Sequence, residues 1–252
     1  MSVVRTIARQ ITLLSLVLIA FSGSPCLADI WMDPGDVLSD TLTYLDVEII
    51  AYDGWRLDEP DGGTSLYYEV SRPSDESLPL HYLYTFTAPT PTGGHGLSHL
   101  IIEVSYGGEL GSFTLEAPDY YGPTGDNVEV GDYYPDFDKY GNPKKPNPYM
   151  PDDGIFGVKF EDMFDEGTED DPITSWTVTF DSYRLPMWGD FFAVDGEGDA
   201  THDWAAAYNS GFGSLEGAEI LVPNSSYVPV PGAFLLGFIG LGVAGVKLRK
   251  FA

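Results

Sequence analysis

The chain has 252 residues, and its 39 acidic side chains against 12 lysines and arginines leave a net charge of −27. Such an excess excludes nucleic acid as a partner, because no cationic surface is available to neutralise phosphates. Sixteen Tyr, 14 Phe and five Trp equally exclude a disordered polyelectrolyte, since they supply more burial than such chains possess.

From the N-terminus, Arg5 and Arg9 form a positive region, residues 11–21 an apolar run, and Cys26-Leu27-Ala28 a small-residue site before Asp29. The pattern predicts a secretory signal peptide over 1–28, cut between Ala28 and Asp29. Ser24-Pro25 ahead of Cys26 fit a lipid-attachment site poorly, and cleavage after Ala28 leaves a mature chain without cysteine. No disulfide then braces it in an oxidising compartment.

The body, 29–227, is the size of one large or two small domains. It carries all 39 acids against seven cations, an excess of 32 negative charges. Self-repulsion at that density is relieved by salt or divalent cations; a solvated, aggregation-resistant surface is the plainer reading. Short aromatic or β-branched segments at 41–52, 65–71, 81–87, 97–106, 111–116, 155–160, 175–182, 191–194 and 218–222, punctuated by Gly, Pro and Asp, predict strands. Trp176-Thr177-Val178-Thr179-Phe180 alternates as a strand with one buried face does. The expected fold is mainly β, an antiparallel β-sandwich or jelly roll, with Tyr84, Phe86, Ile101, Phe113, Phe156, Val158, Trp176 and Phe180 in its core.

One long interruption, 117–153, is rich in Pro, Tyr, Gly and Asp, and its prolines forbid a central strand. Tyr133, Tyr134 and Tyr149 on it offer either a stacking platform for sugar rings or aromatic surface that packs back onto the sheets. Catalytic signatures are missing: no nucleophile elbow, zinc-protease helix, phosphate loop or cysteine nucleophile occurs. His81, His95, His99 and His202 are the only imidazoles, and a structural or surface role for them outweighs a metal site. Carboxylates are too abundant for any pair to argue for glycoside hydrolysis.

Calcium is the better chemical expectation. Asp195, Glu197, Asp199 and Asp203 place oxygen ligands along a glycine-loosened loop, although Ala200 and Ala206 depart from the EF-hand pattern. A second acidic run comprises Asp162, Asp165, Glu166, Glu169, Asp170 and Asp171. Either run is equally a solvated loop, and any binding is expected to be weak.

The last 25 residues run from Val228-Pro229-Val230-Pro231 through an uncharged apolar segment to Lys247-Leu248-Arg249-Lys250. Residues 231–246 would span roughly 24 Å as a helix, slightly under the ~30 Å hydrocarbon core. The predicted transmembrane helix covers 232–246, and the basic tail 247–250 orients the body to the outer side of the inner membrane. Four glycines between 237 and 245 weaken that helix, which suits a tail that is cut away; a permanent single-span anchor is the alternative.

A short proline motif, one apolar span and the terminal cations Lys247, Arg249 and Lys250 together resemble the PEP-CTERM sorting signal of bacterial exosortase substrates. Val230 stands where the commonest form has glutamate, giving the Val-Pro-x-Pro variant. Within the body, Trp188-Gly189-Asp190-Phe191-Phe192-Ala193-Val194-Asp195-Gly196, then Ala207-Tyr208-Asn209-Ser210-Gly211-Phe212, and the segment 97–105 resemble stretches that recur in uncharacterised members of that group. The resemblance implies a secreted β domain and an exosortase-like sorting enzyme as partner. It further implies transient residence in the inner membrane, then a non-catalytic surface or extracellular-matrix role beside exopolysaccharide. A carbohydrate-binding module and a polysaccharide-active enzyme are the rival expectations.

Overall fold

A computed structural model describes residues 29–43, 45–51, 63–88, 97–105, 113–137, 143–144, 147, 150–161, 167–168, 171–172, 174–195, 205–213 and 217–227. The signal peptide and the tail from Val228 onward lie outside the described residues, as do Glu197, Asp199, Asp203 and Tyr149.

The described chain is mainly β, with antiparallel pairing throughout and no helix. Its strands are β1 (Val37–Leu42), β2 (Val47–Ala51), β3 (Ser65–Ser71), β4 (Leu80–Thr87), β5 (Leu97–Glu103), β6 (Val128–Tyr133), β7 (Asp136–Phe137) and β8 (Pro143–Lys144). There follow β9 (Ile155–Glu161), β10 (Gly167–Thr168), β11 (Asp171–Pro172), β12 (Ser175–Ser182), β13 (Arg184–Gly189), β14 (Phe191–Asp195), β15 (Ala205–Asn209) and β16 (Ile220–Tyr227). A four-stranded sheet has the order β1-β3-β4-β12 and a six-stranded sheet the order β2-β15-β14-β5-β9-β6. β13 and β16 form a separate ribbon, and β7–β8 and β10–β11 are minor ladders.

Side-chain period fixes how the two sheets meet. β3, β4 and β12 alternate buried and partly exposed positions, so the smaller sheet turns Leu66, Tyr68, Val70, Tyr82, Tyr84, Phe86, Trp176, Val178 and Phe180 inward. From the larger sheet, Leu100, Ile102, Val158, Phe160, Phe191 and Ala193 join the same core. Rings interlock across the interface: Phe160 stacks on Phe180 at 6.1 Å and Phe86 lies 6.4 Å from Phe191. The larger sheet is buried on its other face as well, where Ile101, Ile155, Phe192, Val194, Ala206 and Met150 form a second cluster under Tyr133, Tyr208 and Phe212.

The ribbon touches both sheets. Tyr84 Oη donates to Leu221 O at 2.8 Å and Ser105 N to Pro223 O at 3.1 Å. Its two prolines, Pro186 and Pro223, stand opposite each other beside a bulge, where neither has to donate to a neighbouring strand. Beneath it, Arg184 is wholly buried, with Nε 3.2 Å from Asp119 Oδ1, a further bond to Asn224 O, and its guanidinium over the Phe113 ring.

Three expectations need correction. The segment 41–52 is two strands in different sheets, because Asp46 bonds back to Thr43 through its carboxylate and its backbone N–H and turns the chain between them. Residues 113–116 are not a strand; Asp119 Oδ2 accepts from Thr114 N and Oγ1 and draws the segment into a turn. The 117–153 interruption is not without structure: it contains β6, a proline-free strand at the edge of the larger sheet, and the short β7 and β8. Of the expected core, Phe156 is partly buried and the other seven residues are buried, Ile101 on the second face.

Candidate functional site

Two of the segments singled out from the sequence, at Trp188–Phe191 and Ala207–Phe212, meet. Asn209 is fully buried and ties them together: its Nδ2 donates to Asp190 Oδ1 at 2.6 Å and to Ala218 O at 2.8 Å, while its Oδ1 accepts from Phe191 N at 3.0 Å. The second Asp190 oxygen accepts from Gly213 N at 2.8 Å. Gly213 has φ +70°, a backbone that L side chains rarely adopt, and a Cβ there would meet Asp153 Oδ2 at 2.5 Å. Both oxygens of the Asp190 carboxylate are therefore spent on holding the 209–213 turn.

Glu103, at the end of β5, completes the cluster. Its Oε2 accepts from Asp190 N at 2.7 Å, and its own N–H donates to Asp190 O at 2.9 Å. Gly189 makes this approach possible, since a Cβ there would sit 2.8 Å from Glu103 Oε2 and 2.5 Å from Val222 Cγ2. Burial pushes the Glu103 carboxyl up to about 7, and the charges of Asp190 and Glu219 add to the shift. Burial also raises Asp190, while its bonds from Asn209 and Gly213 oppose the rise. Glu219 is raised by burial and by Asp190.

Beside Glu219 a cleft of about 320 Å³ opens between the β1 edge and the 217–219 segment, lined also by Asp40, Thr41, Leu42, Asp46, Tyr68 and Trp188. Trp188 is the one exposed residue of β13, at 41%. Tyr68 lies directly across from Asp40 in the β1–β3 register. Burial and the Asp40 charge push its phenol up to about 12, so it stays a hydrogen-bond donor at neutral pH. The cleft thus offers three carboxylates, a phenol, an indole and no cation.

The residues singled out from sequence are dispersed. Asp195 ends β14, its backbone paired with Ala205 and Leu97. Tyr133 is half-buried against the second cluster with its hydroxyl bonded to Glu129 O at 3.2 Å, whereas Tyr134 is 56% exposed. His99 is buried, its Nε2 3.1 Å from Asn147 Oδ1 and its ring against Phe192. Among the described residues no group of three metal-ligating side chains converges. Sequence reasoning marked Trp188, Asp190, Asn209 and Glu103 only as parts of segments with a family resemblance, and it missed Glu219, Asp40, Asp46 and Tyr68. No local signal could have gathered these, because they come from separate stretches of chain.

No family model matches the chain, and no curated protein or solved structure matches it either.

Proposed function

We propose that the chain is an exported surface or extracellular-matrix interaction protein, sorted by an exosortase-like system and associated with exopolysaccharide, with the two layers read as a β-sandwich. The observation that carries this reading is the fit between the folded body and the two end segments. Asp29, first after the expected cleavage point, accepts from Asn224 Nδ2, and Ile30 N donates to Pro186 O at 2.9 Å. β16 runs to Tyr227, immediately before the Val-Pro-Val-Pro motif. On this reading the described strands lie between the two proposed processing points.

A non-catalytic role is supported by the state of the Glu103–Asp190 acid pair. Glu103 and Asp190 look like an acid–base couple, but Glu103 Oε2 holds a backbone N–H and both Asp190 oxygens are engaged in the turn. The acidic loop of Asp195, Glu197, Asp199 and Asp203 is proposed as a weak calcium holder; a melting temperature indifferent to calcium and to chelator would sink that part.

Intact mass of the protein from membrane and extracellular fractions tests the main reading. A species beginning at Asp29 and ending between Val228 and Pro231 is expected. A species that retains 234–252 and occurs only in membranes overturns the sorting. Release of reducing sugar from exopolysaccharide would overturn the non-catalytic assignment.

The cleft favours one second reading, a carbohydrate-binding module, because an exposed indole beside hydrogen-bonding side chains is suited to a sugar ring.

A further inference from the structure

We infer that the cleft at the β1 edge binds an amine-bearing sugar residue, so that the polymer this protein engages is cationic. The inference rests on the polysaccharide reading above and specifies its ligand. Three observations carry it. The lining includes the carboxylates of Asp40, Asp46 and Glu219 and no basic side chain. Trp188 presents indole to solvent at the mouth. Tyr68 is 3% exposed, lines the cleft, and its hydroxyl has no hydrogen-bond partner among the described residues.

Each of these selects part of the ligand. Three carboxylates lining one cleft without a counter-charge favour an ammonium group, which donates hydrogen bonds to them and brings the missing positive charge. An anionic sugar is disfavoured by the same three groups and by the 32-charge excess of the body. An indole face adds attraction for a cation or for the C–H face of a pyranose ring. A buried phenol held in its protonated form supplies a donor for a sugar hydroxyl or ring oxygen. The volume, about 320 Å³, lies at the small end of ligand sites, which run from about 300 to about 1,000 Å³. That is room for a single residue of a chain passing across the mouth, not for a folded oligosaccharide.

The Asp46 carboxylate also accepts from Thr43, and one Asp40 oxygen accepts from Thr41 N, so both are positioned before any ligand arrives. Among the described residues Glu219 has no such tether. It is the group expected to lose its raised proton affinity when an ammonium enters, which ties binding to the Glu103–Asp190 cluster behind it.

The test is titration of the chain as recovered from its host with a glucosamine tetramer, its fully N-acetylated counterpart, a neutral cellotetraose and tetralysine. Calorimetry and the part of the tryptophan fluorescence change that Trp188→Ala abolishes are the readouts, at pH 6 and low salt. The glucosamine tetramer is expected to bind at least tenfold more tightly than the acetylated and neutral tetramers and to weaken as salt rises. Trp188→Ala and Glu219→Gln are each expected to lower that affinity at least tenfold, with thermal melts confirming that both variants fold. Equal binding of all three sugars, or insensitivity to both substitutions, overturns the proposal. Tetralysine binding as tightly as the glucosamine tetramer overturns the sugar assignment and makes the cleft a site for basic peptide. Terminal processing is read separately by mass, so a failure here leaves the export reading standing and a failure there leaves the cleft standing.

Discussion

Replacing Glu103 by glutamine is expected to stabilise the protein by an amount that grows as pH rises from about 4.5 and levels off above about 7. The side chain keeps its shape and an oxygen to accept from Asp190 N, which Glu103 Oε2 now does at 2.7 Å. What it loses is the charge. Because burial raises this carboxyl from an ordinary 4.5 to about 7, the folded state binds its proton more tightly than the unfolded chain. The stabilisation from that proton is fully present below about pH 4.5 and disappears as pH rises through 7. A shift of this size corresponds to about 3 kcal/mol at 1.36 kcal/mol per unit, and some solvent contact reduces it to about 2–3 kcal/mol. Glu103→Gln should therefore melt roughly 5–10 °C above the parent at pH 8 and equal it at pH 4.5. Urea unfolding of the two proteins side by side from pH 4 to 8 reads the difference directly and cancels the general repulsion among the other acids. A difference that does not change with pH, or a variant less stable at pH 8, would falsify the burial of a charge at this position.

Further substitutions probe the same framework. Asp119→Ala strips the partner from the buried Arg184 guanidinium and should cost about 3–5 kcal/mol by denaturant titration, whereas the double change Asp119→Leu, Arg184→Met should recover most of that loss. Asn209→Leu removes three buried hydrogen bonds and leaves Asp190 Oδ1, Ala218 O and Phe191 N without that partner, an expected loss of at least about 3 kcal/mol with early proteolysis near 209–213. Gly189→Ala drives a methyl into Val222 and Glu103 and should cost about 1–3 kcal/mol, partly restored by Val222→Ala, read from melting temperatures.

Strands β3 and β12 are read correctly from sequence because each alternates strictly, and one face of their sheet is open to water. Where alternation fails, so does the reading. β15 is built from three alanines, which have little strand preference; here they are the small residues that fit between packed neighbours on both faces. β13 is obscured by Arg184 and Pro186, which only a two-stranded ribbon with a bulge accommodates. In the site, Asp190 and Asn209 stand out as members of recurring segments. Their bond depends on the β14–β15 register, and Glu103 reaches them from β5, so no window of sequence contains the cluster. The cleft is harder still to foresee, because Trp188 and Tyr68 belong to different sheets and are brought together only by closure of the layers.

The β13–β16 ribbon has a mechanical consequence. β16 pairs with one strand only, and its last residue, Tyr227, stands opposite Arg184, the first residue of β13. Where the body is anchored through the segment after Tyr227, tension enters through this ladder and passes to the two sheets through the Tyr84–Leu221 and Ser105–Pro223 bonds. Load across the strands opens it from the Arg184–Tyr227 end one bond at a time; load along them shears the whole ladder together. Asp29, clasped to Asn224 on the same strand, is pulled with it. Leu185, Met187, Ile220, Leu221 and Val222 of the ribbon lie in the main core, so a pull that opens the ladder also begins to unpack the aromatic layer between the sheets.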